Sequence, residues 1–309
     1  CRTTFSRKEM TRSEQPQLDI RVVGGGMVGS ALSLGLSRQG WNVGLVEGAD
    51  RKALMQDPEE ALSVEDFDPR VSAISVASQR LLEQLGVWPD ITAGRHCSYQ
   101  TMTVWDGDGT GRIQFEAAEL RAPALGTIIE NRRIVRALFD ALADSAVTLI
   151  DGVRVSGWWR DGHTRGIRLE DGQTFGARLV VAADGAHSRL RQWVGLPTRE
   201  WDYGQQAIVC TVRTAQSHRY TAWQRFSPTG PLAFLPLLSE SGDEHFCSIV
   251  WSQDTEEARR LMGLDDHAFK AELERAIERE LGAVDLVSRR YAFPLRQRHA
   301  KEYIAPGFA

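Results

Sequence analysis

The pattern of hydrophobic and polar positions changes character along the chain. Residues 18–23 form a short apolar run that enters a cluster of glycines, and residues 30–37 then carry apolar side chains at helical spacing before Gly40. A second apolar run, 41–46, ends in Glu47. Strand, tight turn, helix and strand in this order predict a βαβ unit, whose right-handed crossover makes the two strands parallel.

The same periodicities predict further helices and strands in the next hundred residues. Segments 75–85 and 132–143 carry apolar residues at helical spacing, and Gly86 suits the position just after the first of them. Segments 147–150 and 179–183 are predicted to be strands. The polar, acid-rich segment 50–68 is predicted to be a solvated loop.

Other parts of the chain show the alternation of an antiparallel sheet. Residues 99–116 alternate apolar and polar positions on both sides of an Asp-Gly-Asp-Gly turn, which predicts a β-hairpin in a different lobe from the parallel sheet. Beyond Pro197 the chain is rich in predicted strands separated by polar loops. The charged segment 255–281 is predicted to be helical and to pack on that sheet. The predicted strands are 207–214, 221–227, 231–237 and 245–252.

Composition narrows the class of protein. With 309 residues, 42% hydrophobic and 25% charged, the chain can bury a core, and its length favours two lobes. The net charge is −4 without a basic stretch, so no nucleic-acid partner is expected. No apolar run approaches the roughly 18–20 residues that span a bilayer. The polar segment 1–17 is expected to be a disordered tail.

Cysteine and histidine spacing offers no metal site. Cys1, Cys97, Cys210 and Cys247 stand far apart without a C-x-x-C pair, and the seven histidines do not cluster. The cysteines are therefore expected to be reduced thiols in a cytoplasmic protein.

The first motif that carries chemistry is Gly24-Gly25-Gly26-Met27-Val28-Gly29, which satisfies G-x-G-x-x-G directly after a strand. In that setting the first glycine permits a tight turn, the second lets a pyrophosphate approach the backbone, and the third lets helix and strand pack closely. The helix N-terminus supplies free N–H groups for phosphates. Glu47 ends the second strand, where a carboxylate accepts hydrogen bonds from ribose hydroxyls. The predicted dinucleotide site consists of Gly24, Gly26, Met27, Val28, Gly29 and Glu47.

The second motif, A-D-G-x-x-S-x-x-R at 183–191, follows the apolar strand 179–183. Alone it would be an ordinary strand-end turn. After a G-x-G-x-x-G unit with its glutamate, it resembles the flavoprotein aromatic hydroxylases, the family that contains para-hydroxybenzoate hydroxylase. The resemblance implies that Asp184 and Gly185 contact FAD and that Ser188 and Arg191 shape the path for NAD(P)H. It implies an α/β fold with a Rossmann-like FAD-binding βαβ domain and an interleaved antiparallel-sheet substrate domain.

Two smaller segments agree with the resemblance. Asp68-Pro69-Arg70 resembles the family segment whose arginine lies along the flavin, and Ile129-Glu130-Asn131-Arg132 resembles the segment whose amide meets the cofactor. The same alignment places Val155 near the adenine. As residues alone, Arg70 could be a surface arginine, Asn131 a helix N-cap and Val155 a core valine.

The implied domains alternate along the chain. We expect an FAD-binding domain in two parts, a substrate domain in two parts, and a return to the FAD domain at the end. The expected boundaries are 18–98 and 123–197 for the FAD domain, 99–122 and 198–293 for the substrate domain, and 294–309 for the return.

Longer segments, among them 70–88, 179–191 and 201–214, are similar to the ubiquinone-biosynthesis hydroxylases, above all to those acting at C5 of a polyprenylphenol ring. The resemblance implies FAD as cofactor, NAD(P)H as cosubstrate, and transfer of one oxygen atom of O₂ to the ring. It leaves open contacts with other ubiquinone-biosynthesis proteins, peripheral contact with the inner membrane, and the oligomeric state. It names no catalytic acid or base.

One departure from the family is expected at the C-terminus. Family members continue into a Gly-Asp motif and a helix that bind the ribityl phosphate and the flavin ring, whereas this sequence stops at 304–309, about where that motif begins. We therefore expect a C-terminally truncated chain that binds FAD weakly or not at all.

Other hypotheses remain open at the level of sequence. One is an FAD-dependent reductase or dehydrogenase of the same fold, because fold does not decide chemistry. Another is a non-catalytic module of a lipid-biosynthesis complex. Four aromatic residues could line a substrate pocket or belong to the sheet core: Trp223, Phe226, Phe234 and Phe246.

Overall fold

A computed structural model describes residues 18–54 and 63–309. The predicted tail 1–17 and residues 55–62 of the predicted loop lie outside the described residues. The strands are β1 (Leu18–Val23), β2 (Val43–Val46), β3 (Val71–Ser75), β4 (Cys97–Tyr99), β5 (Thr101–Asp106), β6 (Arg112–Glu116), β7 (Gly126–Glu130), β8 (Thr148–Ile150), β9 (Val155–Asp161), β10 (Thr164–Leu169), β11 (Thr174–Ala182), β12 (Thr198–Thr214), β13 (Thr221–Ser227), β14 (Gly230–Leu237), β15 (Phe246–Asp254), β16 (Val284–Val287) and β17 (Tyr291–Ala300). The helices are α1 (Met27–Arg38), α2 (Arg51–Leu54), α3 (Val76–Gln84), α4 (Trp88–Thr92), α5 (Asn131–Ala143), α6 (Arg189–Val194), α7 (Thr255–Met262) and α8 (Asp266–Ala276), with 3-10 turns at Val64–Asp66 and Ala117–Leu120.

The first sheet has six strands in the order β8-β2-β1-β11-β10-β9. β1 pairs in parallel with β2 and β11, and β2 pairs in parallel with β8, as the βαβ pattern predicts. Helices α1 and α5 supply the core on one face, where Val22, Leu45, Leu34 and Leu138 are at most 2% exposed. Every residue of β2 is buried, which explains why this strand is a continuous apolar run instead of an alternating one.

The second sheet has eight strands and holds the predicted hairpin at one edge. Its order is β16-β12-β15-β14-β13-β5-β6, with β17 also paired to β12. The hairpin is β5 and β6, so it lies apart from the parallel sheet as expected. β5 pairs with β13 in parallel, which departs from the expected purely antiparallel sheet because the hairpin joins from a distant part of the chain. Helices α7 and α8 cover one face, burying Ile208, Phe234 and Leu273.

A third sheet, in the order β3-β7-β4, packs against the second. The contact buries Val64 and Phe67, which are 4% and 5% exposed, and Phe67 lies 5.1 Å from Phe246 between ring centroids. The prediction of a solvated loop over 50–68 is therefore wrong for its last part. The acidic composition of this segment led to the prediction of a solvated loop, but its two apolar residues pack against the second sheet.

The predicted helix 255–281 is two helices, α7 and α8. The first ends at Gly263, and the side chain of Asp265 accepts a hydrogen bond from Ala268 N at 2.8 Å, which caps the second. A glycine and, two residues later, a capping aspartate interrupt an apolar pattern that is otherwise continuous.

A two-stranded ribbon of β12 and β17 joins the two large sheets. β12 is 17 residues long, and its first part pairs only with β17 among the described strands. After β17 the chain reaches the first sheet, where Gly307 O accepts from Val180 N and Ala309 N donates to Val180 O, each at 3.0 Å.

Candidate functional site

The turn between β1 and α1 contains two glycines in close contact with backbone atoms and a third that borders free space. A Cβ on Gly24 would lie 2.4 Å from Ala183 O, and one on Gly29 would lie 1.9 Å from Gly24 O. Gly24 also has a φ of +104°, which favours glycine. At Gly26 a Cβ would meet nothing within 4 Å. Backbone packing therefore requires Gly24 and Gly29, whereas Gly26 borders free space.

Glu47 lies beside this turn and is fixed by backbone groups. Its carboxylate accepts a hydrogen bond from Gly25 N through one oxygen and from Ala49 N, at 2.7 Å, through the other. A carboxylate has about four acceptor positions, so two remain for ribose hydroxyls. Gly26 is the N-cap of α1 and has no side chain to occupy the free N–H groups of the first turn. These groups are available to a diphosphate.

The second motif begins where β11 ends. Asp184 accepts from Arg189 N through Oδ2 at 3.1 Å, while its buried Oδ1 has no hydrogen-bond partner among the described residues. Gly185 has a φ of +82°. Ser188 is buried and accepts from Arg191 N at 3.0 Å, so it acts as the N-cap of α6. Arg191 donates to Ala186 O at 3.0 Å.

A cavity of about 460 Å³ lies between the two motifs. It falls in the size range of small-molecule sites, roughly 300–1,000 Å³. The structure thus brings together residues that are 161 positions apart in the sequence, from Gly24 to Gly185. Six of the predicted cofactor residues line it: Gly24, Gly26, Glu47, Val155, Asp184 and Gly185.

Three basic side chains at the cavity were missed by the sequence interpretation. Arg154, His187 and Arg189 also line it. The methylene chain of Arg154 packs near Gly48, and the guanidinium of Arg189 lies 4.9 Å from the Trp193 ring centroid. Arg154 directly precedes Val155, and Arg189 lies inside the A-D-G-x-x-S-x-x-R motif, so the sequence could have indicated both as cavity residues. The positive charges of Arg154 and Arg189 favour an anionic group here.

Arg70 and Asn131 form a separate group outside this cavity. Asn131 N donates to Arg70 O at 2.9 Å, and Asn131 Oδ1 accepts from the Ser72 hydroxyl at 2.6 Å. Arg70 is exposed, and Asn131 is the first residue of α5. The two residues named from the resemblance are therefore neighbours: Arg70 directly precedes β3, and Asn131 begins α5.

Met27 and Val28 line a different surface. They contribute to an apolar groove of about 490 Å³ between α1, α3 and α5, and Val28 is 74% exposed. The predicted cofactor residues Met27 and Val28 therefore do not line the 460 Å³ cavity. Ser188 and Arg191 do not line it either.

The residues around the cavity fit the adenosine, diphosphate and ribityl parts of FAD. The open space at Gly26 would accept a diphosphate, Glu47 keeps free acceptor positions for a ribose, and Asp184 presents a buried carboxylate oxygen without a partner. A buried acceptor without a donor is costly, so a ligand hydroxyl at this atom would remove a penalty of about 1–3 kcal/mol.

Comparison with known proteins identifies the family. The profile of a family described as "FAD binding domain" matches residues 17–305. The 3-demethoxyubiquinol 3-hydroxylase of Escherichia coli is 36% identical over 292 residues, covering 94% of this chain and 71% of that protein. The chain belongs to the FAD-dependent aromatic hydroxylase family.

Other relatives and folds agree with this membership. The ubiquinone hydroxylase UbiL of Rhodospirillum rubrum is 36% identical over 296 residues, covering 96% of this chain and 66% of that protein. The chain therefore spans about two thirds of the length of these relatives. A probable FAD-dependent monooxygenase of Pseudomonas aeruginosa, PqsL, has the same fold, with a TM-score of 0.73, 22% identity, and coverage of 95% and 77% of the two chains.

The predicted fold class is confirmed by these comparisons, and the family is one of FAD-dependent monooxygenases. Over 18–54 and 63–309, no helix combines the length and apolar character needed to cross a membrane. In the same ranges, no cluster of His, Cys, Asp and Glu side chains could hold a metal ion. Cys97, Cys210 and Cys247 are free, buried thiols.

Proposed function

We propose that the protein carrying this chain is an FAD-dependent monooxygenase that hydroxylates the aromatic ring of a polyprenylphenol in ubiquinone biosynthesis, using NAD(P)H and O₂. The observation that carries the proposal is the meeting of Gly26, Glu47 and Asp184 around one cavity, in a chain that is 36% identical to a demethoxyubiquinol hydroxylase. FAD, when bound, would supply the redox and oxygen-activation chemistry.

The chain's own residues would bind and orient this cofactor. The diphosphate would lie at Gly24–Gly29 and the N-terminus of α1, near Arg154 and Arg189, and the adenosine between Glu47 and Val155. Asp184 and Gly185 would contact the ribityl side. Arg70 and Asn131 would face the flavin ring, and Ser188 and Arg191 would shape the NAD(P)H path.

The proposed domains place the substrate on the second sheet. Segments 18–98 and 123–197 would form the FAD domain, 99–122 and 198–293 the substrate domain, and 294–309 the return to the FAD domain. The face of the second sheet opposite α7 and α8 carries Ile113, Phe115 and Phe226, which are 59%, 49% and 48% exposed. Exposed apolar side chains would suit a lipid-like substrate and peripheral contact with a membrane or with other ubiquinone-biosynthesis proteins.

The first test is FAD binding. Glu47→Gln removes the negative charge of the side chain that would accept hydrogen bonds from the ribose. The Kd for FAD should therefore rise about ten- to a hundredfold, because a hydrogen bond to a charged group is weakened. Flavin fluorescence quenching measures the Kd, and circular dichroism checks the fold. Glu119→Gln, at an exposed position of the second 3-10 turn, is the control. Equal Kd values for both variants would contradict the role of Glu47.

The second test is oxygen transfer. The protein is supplied with FAD, NAD(P)H, a polyprenylphenol and ¹⁸O₂, and mass spectrometry follows the ring product. One ¹⁸O atom in the ring, with the other reduced to water, supports the hydroxylase. Oxidation of NAD(P)H without labelled product favours the FAD-dependent reductase. No flavin binding at all favours the non-catalytic module.

A further inference from the structure

A buried charged cluster lies where β7 ends and α5 begins, outside the cavity described above. Glu130 and Arg95 form a two-pronged ion pair, with Arg95 Nε at 2.6 Å from Oε2 and Nη2 at 3.0 Å from Oε1 of Glu130. Both side chains are 2% exposed. The void beside them measures only about 10 Å³. A buried carboxylate is tolerated only when it is fully paired.

The pair holds the backbone of the Asp66–Arg70 segment. Asp68 N donates to Glu130 Oε1 at 2.6 Å, and Arg95 Nη2 donates to Asp66 O at 2.9 Å. Arg132 adds a second hydrogen bond to Asp66 O at 2.7 Å and contacts Glu130 at 2.8 Å. This backbone carries Arg70, whose carbonyl accepts from Asn131 N, the residue that follows Glu130. Glu130 thus contacts the backbone segment that carries Arg70 and directly precedes Asn131 in the chain.

The same pair reaches the second sheet. Arg95 Nη1 donates to Glu240 Oε1 at 2.6 Å, and Glu240 lies on the connection between β14 and β15. The guanidinium of Arg95 also lies 4.9 Å from the ring centroid of Phe67, which packs on Phe246 of β15. Arg95 therefore links the third sheet to the second by an ion pair and by packing.

Burial raises the pKa of the Glu130 carboxyl, but the hydrogen bonds from Arg95 and Asp68 and the charges of Arg95 and Arg132 outweigh it, so the pKa stays below its usual range. Glu130 is therefore a carboxylate at neutral pH. If Glu130 only formed a structural ion pair, Arg95 would suffice as its partner. The additional bonds to Asp68 and, through Arg95, to Glu240 couple two parts of the fold.

Resting on the proposed function, we propose that Glu130 is a positioning residue that, through Arg95, sets Arg70 and Asn131 at a fixed place relative to the second sheet. Neither Glu130 nor Arg95 lines the cavity of about 460 Å³. Its effect is to hold the flavin-facing side chains and the substrate-facing sheet in register, so that the ring to be oxidised stays aligned with the cofactor.

The test uses Glu130→Gln, which keeps the shape and removes the charge, and Glu274→Gln as the matched control. Glu274 is also a largely buried glutamate, 16% exposed, that accepts a backbone hydrogen bond, from Val284 N at 2.9 Å, but it lies on α8, on the opposite face of the second sheet. Both variants replace a carboxylate that accepts a backbone hydrogen bond by a neutral amide, which accepts it more weakly. Only the first loses the link to Arg70 and Asn131.

The first measurement is hydrogen exchange without cofactor. In Glu130→Gln, the amides of residues 66–68 and of Arg70 should exchange about tenfold faster or more, because the acceptor of the Asp68 N–H loses its charge and the hydrogen bond weakens, whereas amides of 24–30 should not change. Glu274→Gln should leave 66–70 unchanged. Unchanged exchange in Glu130→Gln, or faster exchange throughout the molecule, would overturn the proposal. This result does not depend on whether the protein is a hydroxylase.

The second measurement is the amount of hydroxylated product per NAD(P)H oxidised. Misaligned groups should lower this ratio severalfold in Glu130→Gln, with FAD affinity at the adenosine side little changed, and Glu130→Asp should recover part of it. A ratio equal to that of Glu274→Gln would show a structural role only and overturn the proposal. Absence of product in the unaltered protein would refute the proposed function instead, while the exchange result stands.

Discussion

At the scale of single residues, His218 shows how burial fixes a protonation state. The side chain is fully buried; its Nδ1 accepts from Tyr220 N at 3.1 Å, so Nε2 carries the proton and donates to Leu237 O at 2.9 Å. Burial lowers the pKa of this imidazole below its usual 6.5, although the hydrogen bond to Leu237 O and the nearby Glu244 charge oppose the shift. The folded protein therefore holds a neutral imidazole.

This histidine predicts a pH dependence of stability. Because its folded pKa is lowered, its contribution is fully present above about pH 6.5 and is lost as the pH falls through the folded value. The free energy of unfolding should therefore decrease between pH 7 and pH 5, as measured by urea titration. In His218→Gln this part of the slope should disappear. His267→Gln, at an exposed position of α8, should retain it, and an unchanged slope in His218→Gln would contradict the assignment.

At the scale of elements, the β1–α1 turn combines two different requirements in one motif. Gly29 is needed because a side chain would collide with Gly24 O, a backbone atom that cannot move aside. Among the described residues, none requires a glycine at position 26, since a Cβ there would meet no atom within 4 Å. The motif therefore contains two glycines that backbone packing requires, Gly24 and Gly29, and one, Gly26, whose predicted role is to let a ligand approach.

Alanine substitutions should separate these roles. Gly29→Ala should lower the melting temperature and FAD affinity together, with a stability loss of several kcal/mol from the backbone collision. Gly26→Ala should change stability by about 1 kcal/mol or less yet weaken FAD binding about tenfold or more by blocking the diphosphate. Calorimetry and fluorescence titration measure the two effects. Normal FAD binding by Gly26→Ala would contradict placement of the diphosphate at this turn.

At the scale of the whole molecule, the second sheet has one covered face and one more open face. Successive residues along its strands therefore alternate between the covered face and the more open face. Trp223 and Phe234 are 5% and 0% exposed and lie in the core under α7 and α8, and Phe246 is buried against Phe67. Of the four aromatic residues named as pocket candidates, these three belong to the packing. Phe226 is 48% exposed on the opposite face.

A matched pair of truncations should show this difference. Phe234→Ala removes a fully buried ring and should destabilise the fold by about 3–5 kcal/mol. Phe226→Ala should cost about 1 kcal/mol or less because its ring is already half in water. Chemical denaturation measures both. If Phe226→Ala were as destabilising as Phe234→Ala, the assignment of the two faces would be wrong.

Local patterns sufficed to predict the dinucleotide-binding half. The run 18–23, the glycine cluster and Glu47 encode strand, turn and strand through interactions among neighbours, and the structure brings Gly24, Gly26 and Glu47 to one cavity. Helix 75–85 is α3 with Ser75 as N-cap, because capping and periodicity are local as well. Arg70 and Asn131 were named only from a resemblance, and their role as flavin contacts stays a prediction.

By itself, the sequence determined the elements and the chemistry of the turn, because hydrogen bonds within a helix, the period of a strand and the steric needs of glycine act over a few residues. Only the tertiary structure decided which faces of the sheets are covered. It also decided that Val64 and Phe67, within an acid-rich segment, are buried, and that Glu130 contacts both Asp68 and Arg95. These outcomes depend on contacts between residues far apart in the chain, and a side chain's burial or partner is set by which elements pack on it.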